Sequence, residues 1–197
     1  MPLVINEEQQ MLKTSAKEFL NEKSPIEKLR QLRDSKDATG YDNNLWKEMA
    51  EMGWASLNIP EAYGGLDFGY TGLGQVLEEI GRTLTASPLV STVLLSATAI
   101  NLGGNVLQKE ELLPQIATGE LVMSLAFEEG AHHNPNLINT TATKSADGYI
   151  ISGTKEAVID GHVADKFIVT AKSDSGVELF LVDANSEGVS KERFISI

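Results

Sequence analysis

The chain begins with apolar residues at helical spacing. Asn6 precedes Glu7 and Glu8, and Met11, Leu12, Ala16, Phe19 and Leu20 then recur three and four residues apart. That pattern predicts an amphipathic helix capped by Asn6, with its first-turn acids at the positive end of the helix dipole. Pro25 suits the first turn of a second helix with Ile26, Leu29 and Leu32 on one face. Asp42 is placed to cap a third, which carries Leu45, Trp46, Met49 and Ala50 and stops at Gly53. Asn58 to Gly69 holds a proline and three glycines and predicts an irregular loop. Thr71 opens a helix with Leu73, Val76, Leu77 and Ile80 on one face, and two further helical stretches cover Pro88 to Leu102 and Val106 to Thr118. Pro114 is expected to break the last of them.

The character changes near Gly119. Leu121 to Phe127 is a strand-like run. Thr140 to Lys144 alternates and reaches Ala146-Asp147-Gly148, a hairpin turn signal, with Tyr149 to Ser152 as the return strand. Phe167 to Ala171 and Val177 to Val182 are two more strands, joined across Ser173-Asp174-Ser175-Gly176. The reading is therefore an α+β chain. An all-α amino-terminal domain over residues 1–118 precedes an incomplete antiparallel β-barrel-like domain over 119–197. So few strands rarely close a barrel, and open edges invite pairing. The β part reads as a fragment, or as something another chain completes.

Composition narrows the chemistry. Twenty-eight acidic residues against 16 basic ones give a net charge of −12, which repels phosphate backbones and argues against nucleic acid as a partner. A nucleotide cofactor stays open, because a local pocket can oppose the global field. With no cysteine, thiol catalysis and thiolate-bound metals are excluded, and a cytoplasmic setting is expected. The start, Met1-Pro-Leu-Val-Ile-Asn-Glu-Glu, has no signal-peptide pattern. Leu89 to Leu102 is too short and too interrupted by Ser, Thr and Asn to span a bilayer, and reads as a buried helix.

Three strings carry a family resemblance. They are Leu45-Trp-Lys-Glu-Met-Ala-Glu-Met-Gly-Trp with Ile59-Pro-Glu-Ala-Tyr-Gly-Gly, then Glu111-Leu-Leu-Pro-Gln-Ile-Ala-Thr-Gly-Glu, then Asp147-Gly-Tyr-Ile-Ile-Ser-Gly-Thr-Lys with Ala164-Asp-Lys-Phe-Ile-Val-Thr-Ala. In this order and spacing the chain resembles the acyl-CoA dehydrogenases. The resemblance implies a helical domain, a middle β domain and a carboxy-terminal helical bundle, with FAD between the last two and a neighbouring subunit helping to hold it. It implies a glutamate that takes the α-proton of an acyl-CoA thioester and a flavin that takes the β-hydride. In most members that glutamate lies in the bundle, so no catalytic residue is expected within this chain. An acyl-CoA substrate, an electron-transfer flavoprotein or similar acceptor, and a homo- or hetero-oligomer are implied in the same way, in fatty-acid or steroid and ring degradation.

Two segments depart from the family pattern. Where relatives carry Thr-Glu-Pro, this chain has Glu128-Glu129-Gly130; where they carry Gly-Thr-Lys-x-Trp-Ile-Thr, it has Gly153-Thr-Lys-Glu-Ala-Val-Ile. Glu128 thus stands at a flavin-bonding threonine, Ala157 at a ring-covering tryptophan and Ile159 at a threonine near the phosphate-bearing side. By resemblance, Leu125, Phe127, Glu128, Ala157 and Ile159 are expected near the flavin, and Asn134 on the CoA side.

Other features take plainer readings. Trp46, Trp54 and Tyr63 are expected to be core or loop-anchoring aromatics. Gly64-Gly65 reads as tight-turn geometry. His132-His133 reads as a loop near the flavin or CoA, since no cysteine or spaced third histidine supports a metal. Glu128-Glu129 reads as a turn facing solvent or a basic neighbour. Two functions stay open: part of a dehydrogenase, or a non-catalytic partner of the same fold that has lost FAD. A free-standing acyl-thioester binding module has no feature in its favour beyond the fold.

Overall fold

The computed structural model describes residues 4–130, 132–146 and 148–194 and divides into two compact units at Leu121/Val122. The start at Met1, the end at Ile197 and Asp147 of the expected hairpin turn lie outside the described residues.

The first unit is helical: α1 (Glu7–Lys23), α2 (Ile26–Asp34), α3 (Asn43–Glu51), α4 (Gly69–Thr83), α5 (Thr98–Gly103) and α6 (Val106–Ala117). Asn6 caps α1 as its sequence predicts. Its side chain accepts from the Gln9 N–H while the Gln9 side chain accepts from the Asn6 N–H, so two otherwise unpaired donors are satisfied reciprocally. Asp42 caps α3 through the N–H groups of Asn44 and Leu45. Gly53 follows α3 with φ 82°, the left-handed conformation that favours glycine. Leu20, Met49, Trp54, Ile59, Leu73 and Leu112 fill the core. Trp54 meets Phe19 edge to face at 5.3 Å, and the Trp46 indole N–H donates to the Gly119 carbonyl at 2.9 Å, so both tryptophans are core anchors.

Two helical expectations need correction. Leu89–Ala97 is a π-helix leading into α5. The wider turn suits its polar interior: the buried Ser91 and Ser96 hydroxyls donate to the Pro88 and Ser91 carbonyls. Pro114 does not break α6, which continues to Ala117. The proline removes one donor, but the Gln115 side chain donates to the Glu111 carbonyl, and buried Leu112, Leu113 and Ile116 hold the last turn against the core. No helix among the described residues is long and apolar enough to cross a membrane.

The second unit is an open sheet of β1 (Met123–Ala126), β2 (Thr141–Ser145), β3 (Gly148–Ser152), β4 (Lys166–Ser173) and β5 (Gly176–Asp183). The antiparallel expectation holds for β2 with β3 and for β4 with β5. β1, however, runs parallel to β4, with Met123 beside Lys166 and Ala126 beside Val169, so the sheet is mixed. β4 is the central strand, and its Phe167 and Val169 form a core with Ala126, Ala164 and Ala184. On β5, Val177, Leu179 and Leu181 alternate along one face and are 56%, 51% and 40% exposed.

Candidate functional site

β1 delivers the chain to the segment where the resemblance expects a flavin. Parallel pairing with β4 fixes its register, and the buried Ser124 hydroxyl donates to the Ile159 carbonyl at 2.8 Å. Beyond the strand, the Glu156 N–H donates to the Glu128 carbonyl at 2.9 Å. Two hydrogen bonds, one from a side chain and one between backbones, thus tie residues 156–159 to 124–128, and Ala157 lies one residue from the Glu128 junction. Ala157 has φ 51° and Asp160 has φ 56°, so this segment holds two non-glycine residues in the left-handed region.

Of the two settings expected for Glu128-Glu129, Glu129 takes the basic neighbour. It does not face solvent in a turn: its side chain is 3% exposed and pairs with Lys155, itself 8% exposed, at 2.6 Å. The same carboxylate accepts from the Thr140 hydroxyl at 2.6 Å and from the N–H groups of Asn139 and Thr140, and Lys155 also donates to the Thr170 hydroxyl at 2.8 Å. One ion pair therefore ties the exit of β1, the entry to β2, the segment after β3 and the middle of β4. Burial works to raise the Glu129 pKa, but Lys155, Thr140 and the two N–H donors outweigh it and hold it at about 2. A carboxylate this acidic stays charged and does not serve as a base.

That depression has a measurable consequence. The group ordinarily titrates near 4.5 and in the fold near 2, so its contribution is complete above about pH 4.5 and is lost as pH falls through about 2. The loss expected across that window is on the order of 3 kcal/mol. Amide exchange of β4 followed from pH 5 to pH 2 should show this acid-dependent opening. In Glu129→Gln the slope should flatten.

Glu128 has a different environment. Its side chain is 13% exposed, one oxygen meets His133 Nδ1, and the other accepts the Asn134 N–H at 3.2 Å. His133 also lies edge-on to Phe127, with ring centroids 6.1 Å apart. Burial pushes the Glu128 pKa up, but the His133 and Asn134 hydrogen bonds and the Lys155 charge prevail and leave it lowered. Phe127, Glu128 and Asn134 are thus brought together around His133. Leu125 shares a sheet face with Ile168, opposite to Ser124, while Ile159 is held from the Ser124 face and is half exposed. Sequence reasoning passed over Lys155, Thr140 and Ser124, and it set His133 in a loop near the flavin or CoA without a partner. Lys155 did stand in the Gly153-Thr-Lys string, and Glu129 stood at the family glutamate. No group of three or more metal-type side chains occurs among the described residues.

The donor set fits a flavin. Half-buried Leu125 and Phe127 and the exposed Ile159 offer apolar surface, the β1 exit is pinned by hydrogen bonds, and the nearest carboxylate has both oxygens engaged.

Comparisons with known proteins agree over the whole chain. The family model for the acyl-CoA dehydrogenase N-terminal domain matches residues 6–120, and that for the middle domain matches residues 125–195. Acyl-CoA dehydrogenase FadE27 of Mycobacterium tuberculosis is 31% identical over 76% of this chain and 39% of its own length. Mitochondrial isovaleryl-CoA dehydrogenase of Arabidopsis thaliana is 33% identical over 80% of this chain and 40% of its own. The caffeyl-CoA reductase-Etf complex subunit CarC of Acetobacterium woodii is 26% identical over 95% and 51%. Among solved structures, the ChsE4-ChsE5 complex from Mycobacterium tuberculosis superposes with a TM-score of 0.86 at 28% identity, covering 96% of this chain and 50% of that one. A steroid ACAD, Tcur3481-Tcur3483 in its G363A variant, gives 0.86 at 33% identity, covering 95% and 51%. The chain spans about half the length, or less, of the relatives it matches. With these two models matching residues 6–120 and 125–195, the chain belongs to the acyl-CoA dehydrogenase family.

Proposed function

We propose that this chain forms the helical domain (residues 1–118) and part of the flavin-facing β domain (119–197) of an FAD-dependent acyl-CoA dehydrogenase. Such a protein introduces an α,β double bond into an acyl-CoA thioester. The observation that carries this reading is the backbone link from the Glu156 N–H to the Glu128 carbonyl, which with the adjacent Glu129–Lys155 pair joins the two segments expected at the flavin. Leu125, Phe127, Glu128, Ala157 and Ile159 would hold the flavin, chiefly through backbone and apolar surface, and Asn134 would lie toward the CoA. When bound, the flavin accepts the hydride from the substrate's β-carbon. This chain's residues orient it and exclude water. The base for the α-proton lies outside these residues, because Glu129 is a structural anion and Glu128 is spent on His133 and Asn134.

The row of Val177, Leu179 and Leu181 on β5 supports action within a larger assembly, since an exposed apolar row of that length fits a covered surface. The ChsE4-ChsE5 and reductase-Etf likenesses support a hetero-oligomer with an electron-transfer flavoprotein as acceptor. Ala157 in place of a large aromatic, with the steroid ACAD likeness, supports a bulky or ring-containing acyl group. A second reading, a non-catalytic partner that has lost FAD, is favoured by the Glu128 carboxylate at a position where a hydroxyl is usual.

Titrating the purified chain with FAD, followed by flavin fluorescence and visible absorption, separates the two. Saturable binding in the micromolar range, with a shifted flavin spectrum, is expected. Absence of saturation both here and with a carboxy-terminal helical bundle attached would transfer the assignment to the non-catalytic partner.

A further inference from the structure

We infer that His133 is a positioning residue for the flavin site: it engages the Glu128 carboxylate and holds it toward His133 and the Asn134 N–H, so that the exit of β1 can face an anionic cofactor. The inference rests on the proposed flavin site and gives a role there to a residue that the sequence placed only in a nearby loop.

Three observations converge. First, Glu128 is almost enclosed, and each carboxylate oxygen has its own partner, His133 Nδ1 on one and the Asn134 N–H on the other. A side chain held at both oxygens does not swing toward a neighbouring ligand. Second, the imidazole is held in turn, edge-on to Phe127, so its orientation is set by the ring next to the carboxylate as well as by the carboxylate itself. Third, the Glu128 carbonyl accepts from Glu156, which places this engaged carboxylate at the junction between the two segments that would meet the flavin.

Physical chemistry says why this engagement matters. FAD carries a pyrophosphate, and its ring gains negative charge on reduction. An unpaired carboxylate at low exposure repels both, and more strongly than it would in water. Lys155 contributes to Glu128 from a distance, but its ammonium is committed to Glu129 and Thr170. His133 is the side chain in direct contact with the Glu128 carboxylate, its Nδ1 against one oxygen. At 73% exposure its ring is otherwise free to leave, so the pair is a device of the turn rather than of the core.

The test compares four proteins in the same FAD titration: the unaltered chain, His133→Ala, Glu128→Gln and the double variant. His133→Ala should weaken FAD binding by roughly fivefold or more, the equivalent of losing about 1 kcal/mol. Glu128→Gln removes the charge and is the background against which the double variant is read. The double variant should match Glu128→Gln, because removing the histidine matters only while the carboxylate is charged. The same titration with dithionite-reduced FAD should show a larger loss in His133→Ala than with oxidised FAD, which a purely structural clip would not produce. If His133→Ala binds like the unaltered chain, or the double variant stays as weak as His133→Ala, the inference is overturned while the flavin reading stands. If no flavin is bound either by the unaltered chain or by the same chain with a carboxy-terminal helical bundle attached, both fall.

Discussion

Lys155→Met should cost the β unit roughly 3–5 kcal/mol, the price of leaving a buried carboxylate without its partner. The variant keeps most of the side-chain volume and removes the ammonium, so Glu129 stays enclosed at 3% exposure with only hydroxyl and N–H donors. Thr170 loses its donor at the same time. Because the pair joins four segments, the effect should appear far from the substitution, as faster amide exchange at Phe167 to Ala171 on β4 and at Ala142 on β2. Lys155→Met with Glu129→Gln should recover much of the loss, since the amide oxygen can still accept from Thr140 and no charge is stranded. A single variant that costs under about 1 kcal/mol would mean that the pair behaves like an exposed one and does not organise the unit.

What the chain discloses in advance depends on the range over which each feature acts. Local signals were legible. Asn6 and Asp42 cap where they were expected, and the helical spacing of apolar residues located α1, α3 and α4, because caps and amphipathic faces are decided within a turn or two. Pro114 was misjudged because its local cost is offset by Leu112, Leu113 and Ile116 in the core. The π-helix at Leu89–Ala97 was not visible, since an apolar run with interspersed Ser and Thr has no period that separates it from an α-helix. The parallel pairing of β1 with β4 joins residues about forty positions apart, and nothing within either strand states its partner.

The site follows the same rule. Glu128 and Glu129 are adjacent in sequence and opposite in environment: one is paired with an exposed histidine five residues on, the other with a buried lysine 26 residues on. Composition could not sort them. The family resemblance placed Glu129 at the conserved-looking glutamate and Lys155 in the Gly-Thr-Lys string, yet only the fold shows that the two strings meet through these charges. The plain reading allowed a basic neighbour, which Glu129 has in Lys155, but did not name the residue that supplies it.

Gly65→Ala should be the most disruptive single-methyl change in the helical unit. A Cβ at Gly65 would fall 1.8 Å from the Ile59 carbonyl oxygen and 2.6 Å from the Ile59 Cβ. Ile59 is fully buried and cannot retreat. The chain folds back on itself here: Leu66 N–H donates to Ser56, Asp67 N–H to Ile59 and Phe68 N–H to Leu57, at 3.0, 3.0 and 2.8 Å. Relieving the clash means parting these strands, at about 1 kcal/mol for each bond lost, with the exposure of Ile59 added; a total of roughly 3 kcal/mol or more is expected. Gly64→Ala is the natural contrast. Gly64 has φ 81° but nothing within 4 Å of its Cβ position, so its cost is conformational alone, about 1–2 kcal/mol. Urea denaturation followed by the fluorescence of Trp46 and Trp54, both in this unit, reads the two variants directly. If Gly65→Ala costs no more than Gly64→Ala, the Pro-Glu-Ala-Tyr-Gly-Gly loop has its second glycine for some reason other than the approach of Ile59. A larger loss at Gly65, or failure of that variant alone to fold, ties the motif to backbone packing and removes the need for a ligand to explain it.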